Sequence, residues 1–507
     1  MGDMLGFLIQ NATIVNEGNI FRGDVLVEGD RIVKVTSYDG GNAQGKGHRA
    51  HGGGYRAKQG EQDPLSHNQR PATSNEQPAT SNEQPTTNNQ QPTTRIQDPG
   101  SRIQIIDATG KYLLPGIIDD QVHFRDPGLT AKGDLYTESR AAVAGGVTSF
   151  MDMPNTNPKT TTLKLLEEKF DIAAEKSLAN YTFFFGATND NLEELRNIDP
   201  RKVCGVKVFL GASTGNMLVD QRSALEGIFS QSPVLIAIHS EDEEIIQANI
   251  RLFRERYGED VPMEAHPLIR SAEACYRSSE RAVKLARECG SRLHILHLST
   301  ALELPLLDHG MPLHEKKITG EVCVHHLWFN DEDYPRLGAK IKWNPAIKTK
   351  EDQLALMAGL LNGTIDLVAT DHAPHLLEEK SNPYFSCPSG GPLIQHSLVA
   401  MLELHLQGKI PLEMVVQKMA HNPADLFHIE KRGYIREEYF ADLVLVDLQA
   451  PWKVTPENIL YKCGWSPFEG DTFQSSVEST WVNGHLAYHQ GNFDETRKGQ
   501  RLSFHDE

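Results

Sequence analysis

Residues 116–125 read Gly116-Ile117-Ile118-Asp119-Asp120-Gln121-Val122-His123-Phe124-Arg125, a short apolar run passing directly into a polar, chemistry-bearing end. The same grammar recurs along the middle of the chain. Val147–Phe150 leads into Met153-Pro154-Asn155-Thr156, Val206–Leu210 contains Lys207, and Val234–Ile238 ends at His239. Leu293–Leu296 reaches His297, and Ile365–Ala369 ends in Thr370-Asp371-His372-Ala373-Pro374-His375. Tyr181–Phe185 and Glu321–Val324 bring such runs to eight. Between them lie stretches rich in Ala, Glu, Lys and Leu with helical periodicity, such as Leu163–Leu178 and Ser271–Cys289. Eight short strands alternating with helices predict a (β/α)8 TIM-type barrel over 113–440 rather than a doubly wound sheet.

Outside the barrel the pattern turns to β structure at both ends. Val25–Val35 reads as a hairpin around Glu28-Gly29-Asp30, and Ile103–Ile106 continues the strand pattern. Leu443–Val446 and Ser476–Val482, the latter followed by Asn483-Gly484, are also strand-like. These segments predict a small composite β-sandwich domain assembled from 1–37, 103–112 and 441–507. The segment 38–102 interrupts it. From Asp39 to Arg95 the apolar residues larger than Ala, proline aside, are Tyr55 and Leu65, and Pro71–Gln77 is repeated at 78–84. Such a stretch cannot bury enough surface to offset its ordering entropy, so a disordered low-complexity insertion, tolerated as a loop expansion, is expected there.

The 507 residues carry a net charge of −18, which argues against nucleic-acid or anionic-membrane partners. No apolar run approaches the ~20 residues a membrane span needs, and the N-terminus lacks a signal-peptide pattern. Six cysteines without a CxxC pair fit a reducing compartment. A soluble cytoplasmic enzyme is expected.

If the runs are barrel strands, their polar ends converge at the C-terminal face, where barrel active sites lie. His123, His239, His297 and Asp371 then make an N/O ligand set suited to zinc or a similar divalent ion. Such an ion lowers the pKa of bound water, and Asp371 can pass a proton to a leaving nitrogen, a combination suited to amide hydrolysis. Lys207 fits beside a cation only if neutralised; carboxylation by carbon dioxide gives it two oxygens to bridge two metals. His294, His325 and His326 read as structural, since alternation along a strand turns His294 away from the face of His297. Gly211–Gly215 reads as an ordinary loop, and Ser240–Glu244 and Glu378-Glu379 as solvated loop charge.

Pro115–Gly128, Met153-Pro154-Asn155-Thr156, Ala369–His375 and Trp465-Ser466-Pro467-Phe468 resemble the ordered motifs of dihydroorotases, members of the amidohydrolase superfamily. The likeness spans essentially the whole chain outside 38–102. It implies reversible conversion of dihydroorotate and water to N-carbamoyl-L-aspartate, a step of de novo pyrimidine biosynthesis. It also implies one or two Zn2+ per subunit held by His123, carboxylated Lys207, His239, His297 and Asp371, with Asp371 as proton shuttle. Arg125, Asn155 and His375 match positions that hold the substrate carboxylate, and Asn344 a further substrate contact. A homodimer and association with aspartate transcarbamoylase are implied partners. One departure stands out: the family's His-x-His pair is Gln121-Val122-His123 here, a spelling shared with a bacterial branch. An amide oxygen is a weaker ligand than imidazole, which bears on a two-metal mechanism. The rival readings are a hydantoinase, dihydropyrimidinase or allantoinase on the same barrel, and a non-catalytic scaffold for the transcarbamoylase.

Overall fold

The computed structural model describes residues 6–38, 103–211 and 217–505. The insertion expected over 38–102 lies outside them except for Tyr38, as does the loop after Gly211.

Each of the eight sequence-predicted runs contributes to a strand. Ile117–Val122 pairs in parallel with Val147–Asp152, which pairs with Asn180–Phe183. The chain continues as Phe185–Gly186, which begins a second parallel arc through Val206–Phe209, Ile236–His239, Leu293–Ile295, Ile318–Cys323 and Leu367–Ala369. Val122 bridges in parallel to His372, and the His123 amide donates to the His372 carbonyl at 2.7 Å, so the exit of the eighth strand lies against that of the first. The intervening helices follow local rules. Ala272–Cys289, for example, begins where the Ser271 side chain accepts from the Ala274 amide and ends at Gly290, whose φ of 73° is left-handed.

Leu293 and Ile295 turn outward among helix residues Val283 and Ala286. Inside the barrel, Ile118, Met151, Phe184, Ala237, Leu296 and Leu367 pack with Phe427, Ile429, Leu502 and Phe504. Each such large side chain contributes roughly 1.5–3 kcal/mol by leaving water. The result is a dry floor beneath the ends of the strands.

Both termini build a single nine-stranded sheet. Gly6–Asn16 pairs antiparallel to Asn19–Glu28 and parallel to both Ile103–Asp107 and Tyr112–Pro115. Tyr112–Pro115 joins Leu443–Asp447, which joins Ser476–Val482. Alternation divides the two faces: Leu113, Leu443 and Leu445 enter a core with Ile9, Val27 and Trp481, whereas Leu114, Val444 and Val446 face the barrel. Two hairpin turns nearly touch, since a Cβ on Gly484 would fall 2.1 Å from the Gly29 carbonyl oxygen. Among the described residues no helix is long and apolar enough to cross a membrane.

Candidate active site at the barrel mouth

The first strand delivers Gln121 and His123. His123 Nδ1 lies 2.8 Å from Asn155 Oδ1; the amide oxygen can only accept, so Nδ1 carries the proton and Nε2 a lone pair. That Nε2 stands 3.3 Å from Asp371 Oδ1. Beneath them Asp119 accepts the Thr370 hydroxyl at 2.6 Å, the Thr370 amide at 3.2 Å and the Gln121 amide at 3.3 Å. This buried carboxyl fastens the first strand to the eighth and so sets Asp371 against His123. Burial pushes its pKa to about 8 despite those donors.

On the opposite side, His239 Nδ1 and His297 Nε2 face each other at 3.0 Å. His239 Nε2 lies 3.0 Å from Glu241 Oε2, so Nε2–H donates there and Nδ1 is the lone pair aimed at the cavity. Burial opposes charge on Glu241, but Arg270 and His239 outweigh it and hold its pKa down at about 2. Lys207 is buried nearby and makes no ion pair among the described residues. Burial lowers its amine to about 7 against the pull of Asp371 and Glu321. Burial likewise pushes Asp371 up to about 7, against Lys207, His239 and Arg125.

Arg125 Nε donates to the Pro374 carbonyl at 3.1 Å, and its Nη2 lies 3.1 Å from His375 Nε2. Burial lowers the guanidinium pKa only to about 10, so it stays cationic. Lys132 Nζ reaches the other nitrogen of His375 at 3.0 Å, and Trp465 Nε1 donates to the His375 carbonyl at 2.7 Å. Arg125, His297 and Asp371 have φ of 68°, 42° and 46°. Left-handed backbone at three non-glycine residues is strain of the kind that gathers at functional sites.

All nine residues singled out from sequence line one cavity of about 70 Å3, with Gln121, Phe209, Ser389 and Gly390. Asn344 Oδ1 is buried there without a hydrogen-bond partner among the described residues. A larger cavity of about 580 Å3 lies elsewhere, lined by Trp452, Tyr488 and Phe493 among others, with no histidine or cysteine in its lining among the described residues.

Two expectations need correction. Ser240–Glu244 is not simply solvated charge: Glu241 is wholly buried as the partner of His239, and Asp242 caps the helix Glu243–Tyr257. His294 does not turn out of the barrel. The strand stops at Ile295 and His297 is left-handed, so alternation breaks between them, and His294 faces inward to Asp120 and Glu321. His325 stacks on Trp343 with ring centroids 4.5 Å apart, and His326 Nε2 donates to the Pro345 carbonyl at 3.3 Å, both packing roles. Asp119, Glu241 and Lys132 were not singled out from sequence. Thr370, Arg270 and His375 are remote partners of Asp119, Glu241 and Lys132, although Glu241 also meets His239 two residues before it and Asp119 lies inside the first motif.

A (β/α)8 barrel whose mouth gathers imidazoles, a carboxyl and a buried lysine is built for hydrolytic chemistry. The amidohydrolase family matches residues 112–487. A dihydroorotase from Methanosarcina mazei is 34% identical over 377 residues, 72% of this chain and 81% of that one. An allantoinase from Deinococcus radiodurans is 32% identical over 410 residues, 79% of this chain and 90% of that one. Among solved structures, L-hydantoinase (dihydropyrimidinase) from Arthrobacter aurescens has the same fold, with a TM-score of 0.81 at 24% identity, covering 99% of this chain and 100% of that one. The chain belongs to the amidohydrolase family.

Proposed function

We propose that the protein is a dihydroorotase, opening the ring of dihydroorotate to N-carbamoyl-L-aspartate and closing it in reverse. The observation that carries this reading is the buried Arg125, a cation in the same cavity as Asp371 and the His239–His297 pair. A guanidinium there suits a substrate carrying a carboxylate beside its reacting amide. The dihydroorotase relative supports the same choice.

The donor set fits zinc. Two nitrogens bound to one Zn2+ at about 2.0–2.1 Å are about 3.3 Å apart at the tetrahedral angle. The 3.0 Å between His239 Nδ1 and His297 Nε2 is close to that. His123, His239, His297, Asp371 and a carboxylated Lys207 would hold the metal, which when bound lowers the pKa of a water and polarises the ring carbonyl. Arg125 grips the substrate carboxylate, with His375 and Asn344 completing the slot. Asn155 fixes the ring of His123. Asp371 takes the proton of the attacking water and delivers it to the ring nitrogen as the C–N bond breaks.

The allantoinase relative favours a second reading, a hydrolase of uncharged cyclic ureides. Arg125→Ala separates the two. Loss of a charge-assisted pair, roughly 1.5–3 kcal/mol, should raise KM for dihydroorotate by about 10- to 150-fold. Turnover of allantoin or hydantoin should change little. Equal effects on both substrate classes would overturn the assignment.

A further inference from the structure

Beneath the catalytic cavity, three polar side chains from three strands meet in the barrel interior. Asp120 comes from the first barrel strand, His294 from the sixth and Glu321 from the seventh, and all three are wholly buried. One ligand atom from each lies within 4.8 Å of the others. His294 Nε2 stands 3.3 Å from Glu321 Oε2 and 3.6 Å from Asp120 Oδ2.

The other ring nitrogen is already committed. His294 Nδ1 lies 2.8 Å from Thr319 Oγ1, and that hydroxyl donates to the Leu293 carbonyl at 3.3 Å. With the hydroxyl accepting from Nδ1–H, Nε2 offers a lone pair to the cluster; in the other tautomer Nε2–H donates to Glu321 Oε2 at 3.3 Å. Glu321 Oε1 accepts the His297 amide at 3.2 Å, so Oε2 is the oxygen turned to the cluster. Neither oxygen of Asp120 meets an N–H or hydroxyl donor among the described residues, and its carboxyl lies within hydrogen-bonding reach of that of Glu321. Two carboxyl groups in hydrogen-bonding reach of each other and an imidazole thus converge in a buried interior, where either a shared proton or a bound cation must hold the carboxyls together.

We propose that Asp120, His294 and Glu321 form a structural divalent-cation site one layer below the catalytic cavity. Two carboxylates and one neutral imidazole balance a 2+ charge and match the N/O preference of Zn2+. Asp120 directly precedes Gln121, His294 lies three residues before His297, and Glu321 accepts the His297 amide. An ion here ties the first, sixth and seventh strands together directly beneath the catalytic ligands. The competing occupant is a proton shared within the cluster.

The test uses the full chain expressed with zinc. Anomalous difference maps collected on both sides of the zinc edge should show a peak among Asp120, His294 and Glu321, separate from any peak between His239 and His297. After identical dialysis, Asp120→Asn should hold one zinc fewer per chain than wild type. No peak at the cluster in the wild-type map overturns the site in favour of the proton. If Asp120→Asn does not fold, that map alone decides. The two peaks are read independently, so failure of this site is distinguishable from failure of the catalytic reading.

Discussion

Gln121 Nε2 donates to Asp371 Oδ1 at 3.3 Å, the same oxygen that stands 3.3 Å from His123 Nε2. The amide oxygen of Gln121 meanwhile receives the Cys323 thiol at 3.8 Å. Where the resemblance places a histidine ligand, this chain therefore places a donor that holds the carboxylate proposed as proton shuttle. The substitution changes the job of the position and leaves the His239–His297 pair untouched.

Gln121→Ala should accordingly lower kcat with little change in KM or metal content. One hydrogen bond to a charged group is worth about 1.5 kcal/mol, or roughly tenfold in rate. Steady-state kinetics beside metal analysis checks this. Loss of a full metal equivalent would show that Gln121 is a ligand after all.

Glu241→Gln should weaken zinc binding by about 10- to 100-fold, the usual effect of removing the carboxylate behind a ligating histidine. The variant also strands Arg270, whose ion pair with Glu241 is nearly buried. Competition with a chromophoric chelator measures the affinity. An unchanged value would mean that His239 needs no such orientation.

Much of this was legible because the barrel strands advertise themselves twice, by apolar runs buried on both faces and by the polar residues that end them. His123, His239, His297 and Asp371 each sit at such an end and Lys207 lies within one of the runs, so local sequence suffices to place them together. The supporting groups are different. Asp119 meets Thr370 across 251 residues and Glu241 meets Arg270 across 29, and no local pattern encodes either pair. The direction of His294 was misread because period-two alternation presumes extended backbone, and the φ of 42° at His297 ends it.

Lys207 sets a pH dependence. Its amine falls from an ordinary 10.5 to about 7 on burial, so between those values the folded chain holds fewer protons than the unfolded one. The uncarboxylated protein should gain stability as pH rises from 7 towards 10.5, and carry the full burial penalty below 7. Only the neutral amine reacts with carbon dioxide. At fixed dissolved carbon dioxide, metal-stripped protein should form a 13C-carbamate whose formation slows about tenfold per unit below pH 7. The signal should be absent from Lys207→Arg; a wild type that forms no carbamate would remove Lys207 from the ligand set.

Residues 39–102 leave one sheet and return to it. Ser37 pairs with Gly23 and Ile103 with Gly6, which strand spacings place about 20–25 Å apart. A flexible linker of about 12 residues covers that span. Replacing 39–102 with such a linker should leave kcat/KM and Tm unchanged within error, because the residues proposed for the chemistry all lie in the barrel. A large loss of either would assign the segment a role.

The central claim is hydrolysis of the dihydroorotate ring with Asp371 as proton shuttle. Its most direct test is the rate of ring opening by purified protein with zinc and bicarbonate supplied, beside Asp371→Ala. Turnover in the wild type, reduced by about 10²- to 10⁴-fold in the variant, is the expected result. A folded, zinc-loaded wild type with no turnover above the variant would contradict the assignment and leave the ureide hydrolase and the non-catalytic scaffold as the remaining readings.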